Sequence, residues 1–104
     1  MLTSKQRALL RSLANGFDPV LYIGKGGVTD TVIQEAEQLL TARELIKGAV
    51  LENAPQSAKE PAQAVARQTG ADVVQVVGRK MILYRQSEDK DKRSYSLLLK
   101  RGGL

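Results

Sequence analysis

The sequence predicts an α/β fold, an α+β two-layer sandwich in which helices pack on a mixed four-stranded sheet. Three observations predict it. Apolar residues recur at helical spacing in three segments, four short apolar and β-branched runs are set off by Gly and Pro, and the segments follow one another as α-β-α-β-α-β-β. With 104 residues, 42% of them hydrophobic, the chain can bury one core and is too apolar for a disordered segment.

Thr3 or Ser4 caps the first helix, which sets Leu9, Leu10 and Leu13 on a face shared with Leu2 and projects Arg7 and Arg11 from the opposite side. Asn15-Gly16 ends it, and Pro19 prevents continuation. Val20-Leu21-Tyr22-Ile23 reads as a buried strand and runs directly into Gly24-Lys25-Gly26-Gly27. Thr29 caps a second helix with the stripe Val32, Ile33, Ala36, Leu39 and Leu40, Val28 stapling against Ile33, and Glu35 and Glu37 facing out. Residues 45–51 form a second strand, in which Gly48 marks a bulge or a close approach. Ser57 and Glu60 make a capping box for a third helix, with Pro61 in its first turn, Ala62, Val65, Ala66 and Thr69 on its apolar face, and Gly70 at its end. Residues 71–77 and 80–85 form a hairpin across the turn Gly78-Arg79. The domain is therefore expected to span residues 1–85. Residues 86–104, with a charged run at 86–93 and Gly102-Gly103 near the end, read as a mobile tail from which Leu97-Leu98-Leu99 can dock.

Sixteen Lys and Arg against eleven Asp and Glu give a net charge of +5, unevenly spread. Residues 1–29 carry +3, residues 30–72 carry −3, and residues 73–85 hold Arg79, Lys80 and Arg85 with no acid. If the first and third blocks meet in space they form one basic face, the footprint of a polyanion binder.

Several function classes are disfavoured. The chain has no Cys, which excludes disulfides and thiolate metal sites and suits a reducing, cytoplasmic setting. No apolar run approaches the ~18 residues a bilayer span needs, so no membrane partner is expected. Without His or Cys, and with no base placed beside a Ser or Thr, the chain offers no catalytic residues and is not expected to be an enzyme. Glu35 and Glu37 point in different directions on their helix, so no metal site or cofactor is expected either. One Phe, three Tyr and no Trp leave little for base stacking, with Tyr22 and Tyr84 read as core or sheet-face residues.

The loop Gly24-Lys25-Gly26-Gly27 joins a strand to a helix N-terminus, where backbone N–H groups and the helix dipole favour an anion and glycines admit a phosphate to the main chain. Two glycines separated by two residues also clamp single-stranded backbones in KH domains, although an ordinary tight turn requires glycine too. The spacing fits neither a nucleotide-binding P-loop nor a dinucleotide fingerprint. Arg7 and Arg11, or Arg79 and Lys80, suit plain solvated surface when taken singly. Their coincidence with the loop points to a polyanion.

The stretches Leu2-Thr3-Ser4-Lys5-Gln6-Arg7, Pro19 through the glycine loop to Thr29-Asp30, Ala42-Arg43-Glu44-Leu45-Ile46-Lys47, and Val74-Gln75-Val76-Val77-Gly78-Arg79-Lys80 with Leu83-Tyr84-Arg85 resemble the CRM domain family (chloroplast RNA splicing and ribosome maturation), in particular its stand-alone bacterial members. The resemblance implies a fold similar to the C-terminal domain of translation initiation factor three, and an RNA-binding protein associated with ribosomal RNA in precursors of the large subunit. It carries the RNA-binding role onto Gly24, Lys25, Gly26 and Gly27, extended by Lys5, Arg7, Arg11, Arg79 and Lys80. Phosphate contacts give modest sequence selectivity. A monomer is expected. The alternative is a protein-interaction module whose basic face docks an acidic ribosomal or enzyme partner. Gly48-Ala49 is smaller than the family's strand residues there, and the segment after Arg85 matches nothing in it.

Overall fold

Thr3 starts the first helix with a reciprocal cap: its hydroxyl accepts from the Gln6 N–H at 3.1 Å, and the Gln6 side chain accepts from the Thr3 N–H at 2.9 Å. The computed structural model describes residues 2–54 and 57–101. Along them run α1 (Ser4–Ala14), β1 (Leu21–Ile23), α2 (Asp30–Arg43), β2 (Leu45–Val50), α3 (Lys59–Thr69), β3 (Asp72–Val77), β4 (Lys80–Tyr84), a 3-10 turn (Lys90–Lys92) and α4 (Tyr95–Arg101). The sheet order is β1-β2-β4-β3, with β1 parallel to β2 and the other pairs antiparallel, a mixed four-stranded sheet as the sequence predicts.

Strand alternation divides the core in two. Met81 and Leu83 of β4 join Ile46, Leu21 and Ile23 against Ala36 and Leu40 of α2 and Ala62 and Val65 of α3. Ile82 and Tyr84 point the other way, to Leu10 and Ala14 of α1 and Leu99 of α4. Helices therefore cover both faces, and the two-layer expectation gains a third layer because the leucine face of α1 needs a sheet surface of its own. Gly48 is a close approach, as expected: a Cβ there would sit 3.1 Å from Met81 Cγ and 3.3 Å from the Leu21 carbonyl oxygen. The bulge lies elsewhere, between Val73 and Gln75 of β3.

Three sequence expectations need correcting. The capping box on α3 does not form: the chain is already helical at Ala58, which becomes the cap, and the Ser57 hydroxyl reaches only the Lys59 N–H at 3.4 Å. Arg7 does not project away from the fold, because its guanidinium donates to the carbonyls of Val73 and Val74, beside the bulge of the edge strand β3. Residues 86–101 are not a loose tail. Glu44 is fully buried at the end of α2 and accepts from the N–H groups of Ser87 at 2.7 Å, Ser94 at 2.9 Å and Ser96 at 3.0 Å, binding the segment to the core. Leu99 docks under α1 while Leu97 and Leu98 stay exposed, and Phe17 meets the Tyr95 ring edge-on at 6.4 Å. Gly102, Gly103 and Leu104 of the expected tail lie outside the described residues.

Candidate nucleic-acid interface

Parallel pairing of β1 with β2, and antiparallel pairing of β4 with both its neighbours, bring the ends at Ile23, Val50 and Val77 and the start at Lys80 to one edge of the sheet. The glycine loop leaves from that edge and the hairpin turns on it. Leu51 joins the two: its N–H donates to the Ile23 carbonyl at 2.8 Å, and its own carbonyl accepts from Arg79 Nη1 at 2.9 Å. The Val50 N–H donates in turn to the Arg79 carbonyl at 2.8 Å. The structure thus brings Arg79 and Lys80 to the loop across 55 residues of sequence.

The loop is a tight turn closed by the Gly27 N–H donating to the Gly24 carbonyl at 3.0 Å, with Gly27 in the left-handed region at φ 73°. Lys25 and Gly26 occupy its exposed corners. Thr29 caps α2 as expected, accepting from the Val32 N–H at 3.3 Å, and Asp30 adds a carboxylate to the first helical turn. The dipole of α2 is thereby already complemented by Thr29 and Asp30, while the corner at Lys25 and Gly26 stays exposed.

A groove of about 410 Å³ runs beside that corner, walled by Lys25 to Val28 on one side and by Glu60, Pro61, Ala64 and Arg67 of α3 on the other. Arg67 faces Lys25 across it, a cation that sequence reading leaves in the acidic middle block, since only the packing of α3 beside α2 brings it here. Lys47 is a second unforeseen cation; it lies on the sheet face that α1 crosses and donates to the Asn15 carbonyl at 3.1 Å.

The basic residues of α1 are dispersed. Leu2 and Gln6 line a groove with Gly70, Asp72 and Tyr84, so the first turn and Lys5 lie at the sheet end away from the loop. The Arg7 guanidinium is engaged by β3, whereas Arg11 is exposed in the last turn, on the side of the helix end that meets Lys47. Arg85 is also withdrawn, paired with Glu37 at 2.9 Å and donating to the Thr69 carbonyl at 2.8 Å and the Thr41 hydroxyl at 2.9 Å. Among the described residues this is the only ion pair, so Lys25, Lys47, Arg67, Arg79 and Lys80 hold charges that no acid neutralises at contact.

Among the described residues no three His, Cys, Asp or Glu side chains gather to hold a metal, and no helix is long and apolar enough to cross a membrane. Anion binding by backbone amides and cations is what the edge can do chemically.

Known proteins share this architecture and sequence. The solution structure of a hypothetical protein from Staphylococcus aureus matches 90% of this chain and 98% of its own at a TM-score of 0.74 and 40% identity. The probable RNA-binding protein YqeI of Bacillus subtilis is 39% identical over 89 residues, 86% of this chain and 93% of that one. An RNA-binding protein of Haemophilus influenzae is 36% identical over 88 residues, 85% of this chain and 89% of its own. The CRS1 / YhbY (CRM) domain matches residues 2–85, the whole run from α1 through β4. The chain belongs to the CRS1 / YhbY (CRM) domain family.

Proposed function

We propose that this protein binds RNA by its backbone at the edge formed by the glycine loop and the hairpin turn, and that its target is ribosomal RNA in precursors of the large ribosomal subunit. The observation that carries the reading is the convergence of Gly24 to Gly27, Arg79 and Lys80 on one sheet edge, joined through Leu51, with its cations unpaired. Relatives named as RNA-binding proteins along most of the chain support it. The working setting is the cytoplasm and the working form a monomer, for which the edge needs no second copy. The turn at Lys25 and Gly26 receives one phosphate, while Arg67, Arg79, Lys80 and Lys47 neutralise neighbouring ones.

Titration of a ribosomal RNA fragment at several salt concentrations tests this. Neutralising about five phosphates on unpaired RNA gives a slope of log affinity against log salt of roughly −3 to −4. Lys25→Glu with Lys80→Glu flattens the slope and removes most of the affinity while circular dichroism stays unchanged. Sedimentation of the protein with large-subunit precursors, and not with mature subunits, supports the assembly role. A salt-independent interaction, or one that needs a protein partner and is absent with protein-free RNA, overturns the reading in favour of a protein-docking module.

A further inference from the structure

Tyr22 is half exposed, at 51%, in the middle of the short strand β1, although its neighbours Leu21 and Ile23 are fully buried. Alternation accounts for the difference: Leu21 and Ile23 face α2 and α3, so Tyr22 faces the side that α1 and α4 cover. Those helices stop short of it. Across the sheet, Tyr22 stands opposite Ala49, Ala49 opposite Lys80, and Lys80 opposite Val77. This row presents one face, it is the row nearest the hairpin turn, and at its far end Val77 is 61% exposed. Behind it Lys47, Gln75, Ile82 and Asn15 line an open groove of about 250 Å³ with Val77 and Lys80.

We propose that this open half of the sheet is a platform for unpaired RNA bases, with Tyr22 as the stacking residue and Lys47 and Lys80 holding the phosphates that cross it. The proposal rests on the RNA-binding reading above and extends it from the backbone to the bases.

Four properties favour RNA as the occupant. The groove carries two lysines and no acid, and neither lysine is in an ion pair. The row between Tyr22 and Lys80 holds the small, partly exposed Ala49, whose methyl group is the least bulky side chain that could stand beside the Tyr22 ring. The ring is held in advance: its hydroxyl donates to the Pro19 carbonyl at 3.0 Å, so little side-chain freedom is lost on stacking. Finally, Tyr22 lies two residues before Gly24, ~7 Å along the strand, so a chain whose phosphate sits on the loop passes over the ring within a step or two. The row spans three strand spacings, ~14 Å, comparable with sheets on which two or three bases stack. Duplex RNA cannot use such a platform, because its bases already stack on one another.

Fluorescence anisotropy with a labelled single-stranded oligonucleotide of about a dozen nucleotides, with an abasic ribose-phosphate strand of the same length and with a duplex tests the platform. Intact protein prefers the base-containing single strand to both others. Tyr22→Ala binds it on the order of 10-fold more weakly and leaves abasic-strand binding unchanged, whereas Tyr22→Phe, which keeps the ring, stays within about twofold of the intact protein. Circular dichroism and thermal unfolding confirm that each variant folds. If Tyr22→Ala binds the single strand as well as intact protein does, or weakens the abasic strand equally, the platform is overturned. Lys25→Glu separates this from the underlying reading: when it abolishes RNA binding and Tyr22→Ala binds the single strand as intact protein does, the loop reading stands and the platform falls. When intact protein binds none of the three at low salt, both fall.

Discussion

Ser96 gives both its hydrogen-bond donors to Glu44: its N–H reaches one carboxylate oxygen at 3.0 Å and its hydroxyl reaches the other. The same hydroxyl lies 2.8 Å from the Tyr84 hydroxyl, so one buried carboxylate ties α4 to the end of α2 and to the last residue of β4. Glu44 also has a positive φ of 66°, unusual for a side chain of its size. Removing the carboxylate orphans the Ser87 and Ser96 amides, which are buried. Glu44→Ala is expected to cost about 3 kcal/mol, and Glu44→Gln, which keeps one acceptor, about half of that. Urea unfolding measures both, and a loss below about 0.5 kcal/mol in the alanine variant contradicts the latch.

The latch makes stability pH-dependent. Burial alone pushes the Glu44 carboxyl up, but the hydrogen bonds from Ser96, Ser87 and Ser94 outweigh it and hold the group below its ordinary 4.5. The folded value is thus lower than the unfolded one. The stabilisation is fully present above the unfolded pKa and is lost as pH falls through the folded value. Intact protein should lose stability below pH 4.5 by more than Glu44→Gln does, and parallel acid curves for the two count against this. Tyr84 shifts the other way: burial raises its hydroxyl above 10.0, so its contribution is full below pH 10 and fades as pH rises further.

Gly48 yields a packing prediction. A methyl group there meets Cγ of the fully buried Met81 at 3.1 Å and the Leu21 carbonyl oxygen at 3.3 Å, which is fixed in the β1–β2 ladder. Gly48→Ala is expected to destabilise by about 1 kcal/mol despite alanine's smaller backbone entropy loss, and Gly48→Val by about 2 to 3. Thermal unfolding of the pair decides it, and a stabilised alanine variant shows that β1 can move.

Much of the fold is legible in the sequence because its signals are local. The capping residues Thr3 and Thr29, the closing Gly70 and the Gly78 turn sit where residue chemistry places them. Resemblance along residues 2–85 supplies what periodicity cannot, the family and its class of fold. What escapes is non-local. Glu44 counts in the sequence only as one of the acids of residues 30–72, because its donors lie 43 to 52 residues further on. Arg7 and Arg85 count as surface charge in the sequence, yet backbone carbonyls and Glu37 take them up. Lys47 and Arg67 have no local signature, and packing alone brings them toward the candidate interface. Tyr22 lies in a strand read as buried, which holds for Leu21 and Ile23 but not for Tyr22, whose exposure follows from where α1 ends on the other face.

The two readings of the glycine loop, tight turn and phosphate cradle, separate at Gly26 and Gly27. Gly27 has φ 73°, a conformation that costs a non-glycine residue about 1 kcal/mol or more, and its N–H closes the turn. Gly26 sits at the exposed corner, where an added Cβ meets only Thr29 Cγ2 at an ordinary 3.5 Å. Gly27→Ala should therefore lower stability, and RNA affinity with it. Gly26→Ala should leave the unfolding midpoint almost unchanged while weakening RNA binding on the order of 10-fold, because its methyl group stands where a phosphate approaches the main chain. Thermal unfolding beside RNA titration reads the two effects independently. If Gly26→Ala binds RNA like the intact protein, the glycines serve the turn alone and the phosphate contacts belong to Lys25 and the hairpin cations.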